Sequence, residues 1–497
     1  MLCAAQFMVI VDTTIVNVAL PGIQRDLHLS GAGLTWIVNA YVLTFAGFLL
    51  LGGRVADLWE RRRMYLLGLA VFTVMSLFGG LAQSGGELIA ARALQGLGSA
   101  ALVPAIMSIL ITTYTEDKAR HRALGIWASV AGAGGATGVL AGGVLTDLLS
   151  WRWIFFVNVP IGVILLVVAR LVMPRAEPAA PGTAARRQSL DWGGAVTVTA
   201  GLAALVFGIV ETSDHSWGSA LVVASLVVGA VLLAAFVGIE SRHPRPLVPL
   251  RLFRSRSLSG ADAMMFLVAP SIITSLFFLS EYLQDVHGYS PLRTGFAFVV
   301  MPLGFVSGSQ ISSRLVGRLG VRALLIAGLI IAAVALFWLS RLQAGDGYAL
   351  HFAIPAYLTM LGISMAYVPI TLSANGGVDP GDAGLASGVL NTTQQVGGSV
   401  GLAVMVSIAA ARTSSLHSAS TGAALTAGYA RAFAVCAILA VAAIVIAVVV
   451  MPRHRVSQRE VRSLQEEPVL GEAIAQEPQS AVLLELDAPD GARAQDR

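Results

Sequence analysis

The chain has 497 residues, 56% hydrophobic and 12% charged, with a mean hydropathy of +0.77. A soluble globular chain carries about 25% charged residues, so the composition excludes an ordinary water-soluble domain and leaves a polytopic membrane protein. The net charge of +4 and pI near 9.3 do not indicate a nucleic-acid partner, because the arginines fall in short loops between apolar runs.

Apolar runs of about 20 residues recur along nearly the whole chain, the pattern of membrane-spanning α-helices. The strand alternation of an outer-membrane barrel is absent. Runs and breaks together give about fourteen spans. The first six cover 2–21, 34–56, 64–83, 88–113, 122–146 and 153–173, and two more cover 192–211 and 217–239. The last six cover 259–283, 294–313, 322–341, 350–373, 384–411 and 429–451. Residues 452–497, rich in Glu, Ala, Gln and Pro, read as a disordered tail. Cys3 and Cys436 both lie inside apolar runs, which argues against a disulfide framework or a metal site. Lys118 stands alone among many arginines in an Ala- and Gly-rich chain, a composition expected of a GC-rich bacterium. No basic region precedes the first run, so a cleavable signal peptide is not expected, and the short lead-in points to a translation start upstream of Met1.

The first span carries one acid, Asp12, in the stretch Val11-Asp12-Thr13-Thr14-Ile15-Val16-Asn17-Val18-Ala19-Leu20-Pro21. An aspartate at mid-membrane costs on the order of 3 kcal/mol to insert. If the span ends at Pro21, Asp12 lies roughly 13 Å below that end. It reads as a proton- or cation-binding carboxylate facing a wet central cavity; the alternative is a buried acid satisfied by Thr13, Asn17 or a neighbouring helix.

Loop charge sets the orientation. Arg61, Arg62 and Arg63 follow span 2, and Lys118, Arg120 and Arg122 follow span 4. Arg175, Arg186 and Arg187 follow span 6, and Arg242, Arg245, Arg251, Arg254 and Arg256 follow span 8. Arg314, Arg318 and Arg322 surround the loop after span 10, while Arg453 and Arg455 open the tail. Even-numbered exits are therefore cytoplasmic and both termini are inside. The segments Gly53–Arg62 and Ser313–Arg322 are related basic turns in equivalent places, which implies two related six-helix blocks. Spans 7 and 8 are then an inserted hairpin, and an even insertion preserves the orientation of both blocks.

Further stretches carry polar or glycine patterns. On span 4, Arg92, Gln95, Gly96 and Gly98 follow one another, with Arg92 about one and a half turns in from the outer side. A guanidinium at that depth needs a carboxylate, a carbonyl or water, or it snorkels to the outer headgroups. On span 5, Gly134, Gly138 and Gly142 recur every four residues, so one helix face lacks side chains and permits close packing. Asn391 and Gln395 share a face of span 13, where they either line a cavity or bond between helices. Asp262 and Glu281, near the cytoplasmic and outer ends of span 9, read as solvated interface acids. A P-loop is missing, and the eight histidines show neither metal-ligand spacing nor a hydrolase arrangement, so no enzyme, metal or cofactor is expected.

Together these stretches resemble the major facilitator superfamily and, within it, the fourteen-span drug:proton antiporters, over spans 1 to 14 but not the tail. The resemblance implies an all-α membrane protein of two six-helix halves with two extra central helices. In this chain they are residues 1–173 for the N-terminal half, 174–258 for the linker with the inserted pair, 259–451 for the C-terminal half, and 452–497 for a disordered cytoplasmic tail. Asp12 to Pro21 is similar to the family's first-helix signature. Gly53, Asp57, Arg61 and Arg62 match a loop motif that steadies one gate, with Glu60 where glycine is usual. The resemblance gives Arg92 a part in proton coupling beside Asp12. It also makes Gly134, Gly138, Gly142 and Gly143 an antiporter packing signature, with Val139 where proline is usual, continuing into Trp151–Phe155 and Asn158-Val159-Pro160. Asn17, Gln95, Asn391, Gln395 and Glu281 are candidates to line the cavity.

The implied activity is proton-coupled export of hydrophobic or amphipathic drugs or antibiotics across the bacterial plasma membrane by alternating access. The implied partners are a small hydrophobic or cationic substrate, protons and the lipid bilayer, with a monomer as the working unit. Alternatives are transport of one specific metabolite, such as a self-made antibiotic, amino acid or siderophore, or a non-transporting membrane sensor.

Overall fold

The computed structural model describes residues 1–58, 60–113, 117–173, 191–212, 215–243, 246–376, 378, 383–416 and 420–451. The tail 452–497, the basic stretch 174–190 and the side chain of Asp57 lie outside the described residues. Every regular element among the described residues is helical. In a bilayer the backbone must satisfy itself, and a helix does so within one segment.

The first block comprises α1 (Leu2–Asp26), α2 (Gly31–Leu58), α3 (Arg61–Leu81), α4 (Gly85–Thr113), α5 (Asp117–Leu148), and the pair α6 (Trp153–Phe156) and α7 (Asn158–Val172), which make one span broken at Val157. Then come α8 (Trp192–Glu211) and α9 (Ala220–Arg242). The second block comprises α10 (Arg256–Glu281), α11 (Pro291–Ala297) with α12 (Val300–Leu319), α13 (Val321–Leu339), α14 (Ile354–Asn375), α15 (Ala383–Ser414) and α16 (Thr421–Val450). Thirteen of these spans are long and apolar enough to cross a membrane. Glycine-rich α5 is the remaining long helix, which accounts for the fourteen expected from the apolar runs.

Two helix ends differ from the sequence reading. α1 does not stop at Pro21 but runs to Asp26. Proline removes one backbone donor yet leaves its own carbonyl, and Pro21 O accepts from Arg25 Nε at 3.0 Å. α16 begins at Thr421 rather than 429, because Ser420 caps it by accepting from Ala423 N, and the small residues that follow tolerate a helix.

Glycines set the helix spacing, and they do so twice. In the first block a Cβ at Gly52 would lie 2.0 Å from Ala100 O, one at Gly96 2.5 Å from Tyr41 O, and one at Gly68 2.8 Å from Gly98 O. α2 and α3 are thereby pressed onto α4. In the second block a Cβ at Gly304 would collide with Tyr357 O, one at Gly308 with Leu361 O, and one at Gly328 would lie 2.7 Å from Gly362 O, so α12 and α13 are pressed onto α14. Without a hydrophobic force between helices in lipid, close backbone approach of this kind carries the packing.

The inserted hairpin bridges the blocks on one side. α8 lies against α2, where a Cβ on Gly47 would strike Thr199, and against α15, where Ser407 Oγ donates to Ile209 O at 2.7 Å. α9 covers α8 and turns Val223, Val227, Val228, Val231 and Val237 outward. Exposed valines in a row are what a lipid-facing helix requires.

Candidate functional site

Asp12 is fully buried in the first block and lies opposite α4, which presents Arg92 and Gln95 one turn apart on the same face. Arg92 Nη1 donates to Asp12 Oδ2 at 2.6 Å and to Gln95 Oε1 at 2.8 Å. Gln95 Nε2 and Asn158 Nδ2 both donate to Asp12 Oδ1, at 2.9 and 2.8 Å. Asn158 Nδ2 also reaches Ser76 Oγ at 3.0 Å, and Ser76 Oγ donates to Phe155 O at 2.9 Å. The guanidinium lies 4.3 Å from the Tyr41 ring centre, with Arg92 Nε 3.4 Å from Ile37 O, and Tyr41 Oη is 2.8 Å from Ser99 Oγ. Five spans, α1, α2, α3, α4 and the α6–α7 pair, thus meet around one ion pair.

The pair is only 0–2% exposed at its side chains. Removing one partner of such a buried pair typically costs 3–5 kcal/mol, because the other charge is left uncompensated. Asp12 therefore does not face an open cavity in this conformation; Arg92, Gln95 and Asn158 occupy the space around it. Arg92 does not snorkel either, since the carboxylate and Gln95 hold it inward. Sequence reasoning placed Asp12, Arg92 and Gln95 in the site separately, and the structure brings them together. It missed Tyr41, Ser76 and Ser99, whose only signal is a polar side chain on an apolar helix.

The glycine face of α5 packs on the helix that carries Asp12. A Cβ at Gly138 would come 2.9 Å from Val11 O, one at Gly142 2.7 Å from Ile15 O, and one at Gly134 3.1 Å from the Ile10 side chain. Gly143 points elsewhere, to the second block, where its Cβ would lie 2.7 Å from Pro291 O. α5 runs unbroken through Val139, which stands where a proline was the family expectation.

Asn17 does not offer its amide to a cavity. Its Nδ2 turns back to Thr13 O and Thr14 O, while its main-chain carbonyl accepts from Ser280 Oγ of α10 at 2.9 Å. Gln284 Nε2, in the π-helical turn Tyr282–Val286 that continues α10, adds a bond to Val18 O at 2.9 Å, so this segment is tied to the outer part of α1. Asn391 is exposed and Gln395 half-buried on α15, and between them Gln394 accepts from Tyr367 Oη at 3.1 Å. These residues, with Glu281, are not part of the Asp12 cluster. Glu281 and Asp262 are only 9% and 6% exposed, so neither is a solvated interface acid. α10 is enclosed by α14, α15 and α16 along the faces that carry them.

In the loop motif the close approach belongs to Gly52, whereas a Cβ at Gly53 would make only an ordinary contact with Pro104 at 3.9 Å. Glu60, where glycine was expected, has φ −59°, open to any residue, and its carboxylate pairs with Arg63 at 2.5 Å. Arg62 Nη2 donates to Arg170 O in the last turn of α7 at 3.2 Å, and Arg322 Nη2 donates to Val448 O in the last turn of α16 at 2.5 Å. The final arginines of the two related turns thus do the same thing, each capping the last helix of its own block, where the carbonyls carry partial negative charge.

Residues 2–402 match the family model described as Major Facilitator Superfamily. The chain is 43% identical over 416 residues to the cephamycin export protein CmcT of Amycolatopsis lactamdurans, covering 83% of this chain and 84% of that one. It is 40% identical to the puromycin resistance protein pur8 of Streptomyces alboniger, covering 82% and 81%. Among solved structures it resembles a bacterial homolog of the human lysosomal transporter Spinster in an inward-facing, unoccupied conformation. That match has a TM-score of 0.62 at 17% identity, covers 94% of this chain and 96% of that one, and speaks to the fold.

Proposed function

The chain belongs to the major facilitator superfamily and is an integral membrane protein, and from that premise we propose that it exports hydrophobic or amphipathic antibiotics from a bacterial cell in exchange for protons. The observation that carries the proposal is the enclosed Asp12–Arg92 pair, a titratable acid locked to a permanent cation inside the first block. Export is supported by relatives named for cephamycin export and puromycin resistance.

The coupling follows from the charges. A guanidinium keeps its proton in a protein, whereas a carboxylate can take one up. A proton on Asp12 removes the attraction at Oδ2 and leaves Arg92 as an unbalanced buried cation. Its remaining partners are Gln95 Oε1, Ile37 O and the Tyr41 ring, so the charged tie between α1 and α4 is lost and only the neutral bond from Gln95 Nε2 to Asp12 Oδ1 still joins them. α1 also carries Asn17 O and Val18 O, the acceptors that hold α10, and these lie only about 8–9 Å along the helix from Asp12. The arginine pattern puts that end of α1 outside, so the present conformation closes the outer mouth. Protonation of Asp12 loosens that closure, and deprotonation with Arg92 re-paired restores it. One inward proton supplies about 2.3 kcal/mol per 100 mV.

Antibiotic or dye efflux into inverted membrane vesicles, with and without an imposed pH gradient, tests the proposal. Asp12→Asn should remove the gradient-driven component while the protein still inserts and purifies. Undiminished gradient-driven efflux in Asp12→Asn would end the role given to Asp12. A narrower reading, one compound rather than many, is favoured by relatives each named for a single antibiotic, and a substrate panel in the same vesicles separates the two.

A further inference from the structure

The second block contains a buried acid whose surroundings are the reverse of those of Asp12. Asp262 is 6% exposed and lies on α10, about 9 Å in from the start of that helix at Arg256. Neither of its carboxyl oxygens has a hydrogen-bond partner among the described residues. Other buried acids have partners: Asp12 has Arg92, Gln95 and Asn158, Glu240 has Leu247 N and Val248 N, and Asp191 has Gly194 N at one oxygen while its Oδ2 has none. Three helices close in around this end of α10. Ser257 Oγ binds Ser373 O of α14 at 2.7 Å, Gly260 abuts Val450 and Met451 at the end of α16, and Thr393 of α15 is the polar side chain that approaches Asp262.

Among the described residues of these elements, no cation faces it. α14 has no acidic or basic residue and only Tyr357 and Tyr367 as titratable groups, and α15 has Arg412 as its one charged residue. α16 has Arg431, Tyr429 and Cys436. Arg412 lies about 28 Å along its helix from Thr393, and Arg431 about 28 Å from Val450, both toward the other end of the bundle. Asp285 and Glu281, the other acids of this segment, are near that far end too. On α1 the charged residues are Asp12, Arg25 and Asp26, all nearer the outer end of α10. Arg251, Arg254 and Arg256, which open α10 and the short turn before it, are exposed at the surface.

An ionised carboxylate there would be stripped of water with only the Thr393 hydroxyl nearby and no described cation to balance it, a cost that burial of the neutral acid avoids. A proton is the ligand that satisfies it without opening the bundle. We propose that Asp262 is a second proton-binding site, which holds a proton on its carboxyl group in this conformation while Asp12 is ionised against Arg92. The proton comes from water when α10 and α15 part and returns to water near the cytoplasmic ends of these helices. Its part in exchange rests on the antiport reading above, but the site itself does not.

The test is infrared titration of the purified full-length protein in liposomes, following the carbonyl stretch of protonated carboxylic acids. At neutral pH the wild type, Asp12→Asn and Glu281→Gln should share one such band that Asp262→Asn lacks, and alkaline pH should remove it from the wild type. Superimposable wild-type and Asp262→Asn spectra would overturn the site. If Asp262→Asn does not fold, Asp262→Glu must shift the band, and an unshifted band overturns the proposal equally. The proton-to-substrate ratio, read from the reversal of flux against opposing gradients, should fall by one proton in Asp262→Asn. Loss of the band in Asp262→Asn, together with wild-type efflux that ignores the pH gradient, would uphold the site and end the antiport reading.

Discussion

Arg92 has four neighbours to serve and one geometry that serves them: Asp12 and Gln95 through Nη1, Ile37 O through Nε, and the Tyr41 ring through its flat face. A lysine ammonium is a point donor on a flexible stem and cannot stack or fork in this way. Arg92→Lys keeps the charge but loses at least one charge-assisted hydrogen bond, worth about 1.5–3 kcal/mol. Gradient-driven efflux should therefore fall roughly tenfold or more, since about 1.4 kcal/mol is tenfold, with near-normal protein in the membrane. Efflux rates in vesicles normalised to purified protein decide it, and an unaltered rate would reduce Arg92 to a mere counter-charge. The cost of burying Asp12 and Arg92 is visible in the sequence, because each interrupts an apolar run. Their pairing is not, since the two lie 80 residues apart and no local periodicity links them. Asp262 and Glu281 were misread for a related reason. Depth along one helix can be counted from the sequence, but the neighbours that exclude water from its sides come from α14, α15 and α16.

Among elements, α5 shows how far a pattern carries. The four-residue glycine repeat announces a bare face, and the bare face is there. The sequence does not say that the facing helix is α1, nor that Gly143 turns to the other block. Because backbone oxygen stands 2.9 Å from a Cβ at Gly138 and 2.7 Å from one at Gly142, even alanine must push α1 away at either position. Overpacking of this kind costs about 1–3 kcal/mol. Gly135 is the control, with nothing within 4 Å of its Cβ. Gly138→Ala and Gly142→Ala should lower both the melting temperature in detergent and the efflux rate, Gly138→Leu and Gly142→Leu should lower them further, and Gly135→Ala should change neither. Equal behaviour of all three alanine variants would remove the α1–α5 contact from the account. Boundaries were less legible than faces: Pro21 suggested an end that α1 does not have, because a proline inside a long packed helix is accommodated by its neighbours.

At the scale of the whole molecule the related basic turns are the most informative feature of the sequence. Their last arginines, Arg62 and Arg322, cap α7 and α16 in the same manner, which two unrelated halves would have no reason to share. If the blocks are related in this way, they have the same orientation, and α8 with α9 must cross as a complete pair. α9 exposes a valine-rich face along its length, as a spanning helix beside lipid would. The orientation itself comes from loop arginines. In a background with Cys3→Ser and Cys436→Ser, single cysteines at Gln83 and Ser216, both exposed between helices, should react with a membrane-impermeant maleimide on intact cells. Cysteines at Arg63 and Arg254, both exposed and both on the side that the arginine pattern makes cytoplasmic, should react only after permeabilisation. Labelling at Arg63→Cys in intact cells would invert the protein and put the contact of α1 with α10 at the cytoplasmic mouth, although the proton gradient would still set the direction of exchange. Labelling at Gln83→Cys without Ser216→Cys would leave the blocks in place but remove α8 and α9 as a spanning pair, and with it the bridge they form between α2 and α15.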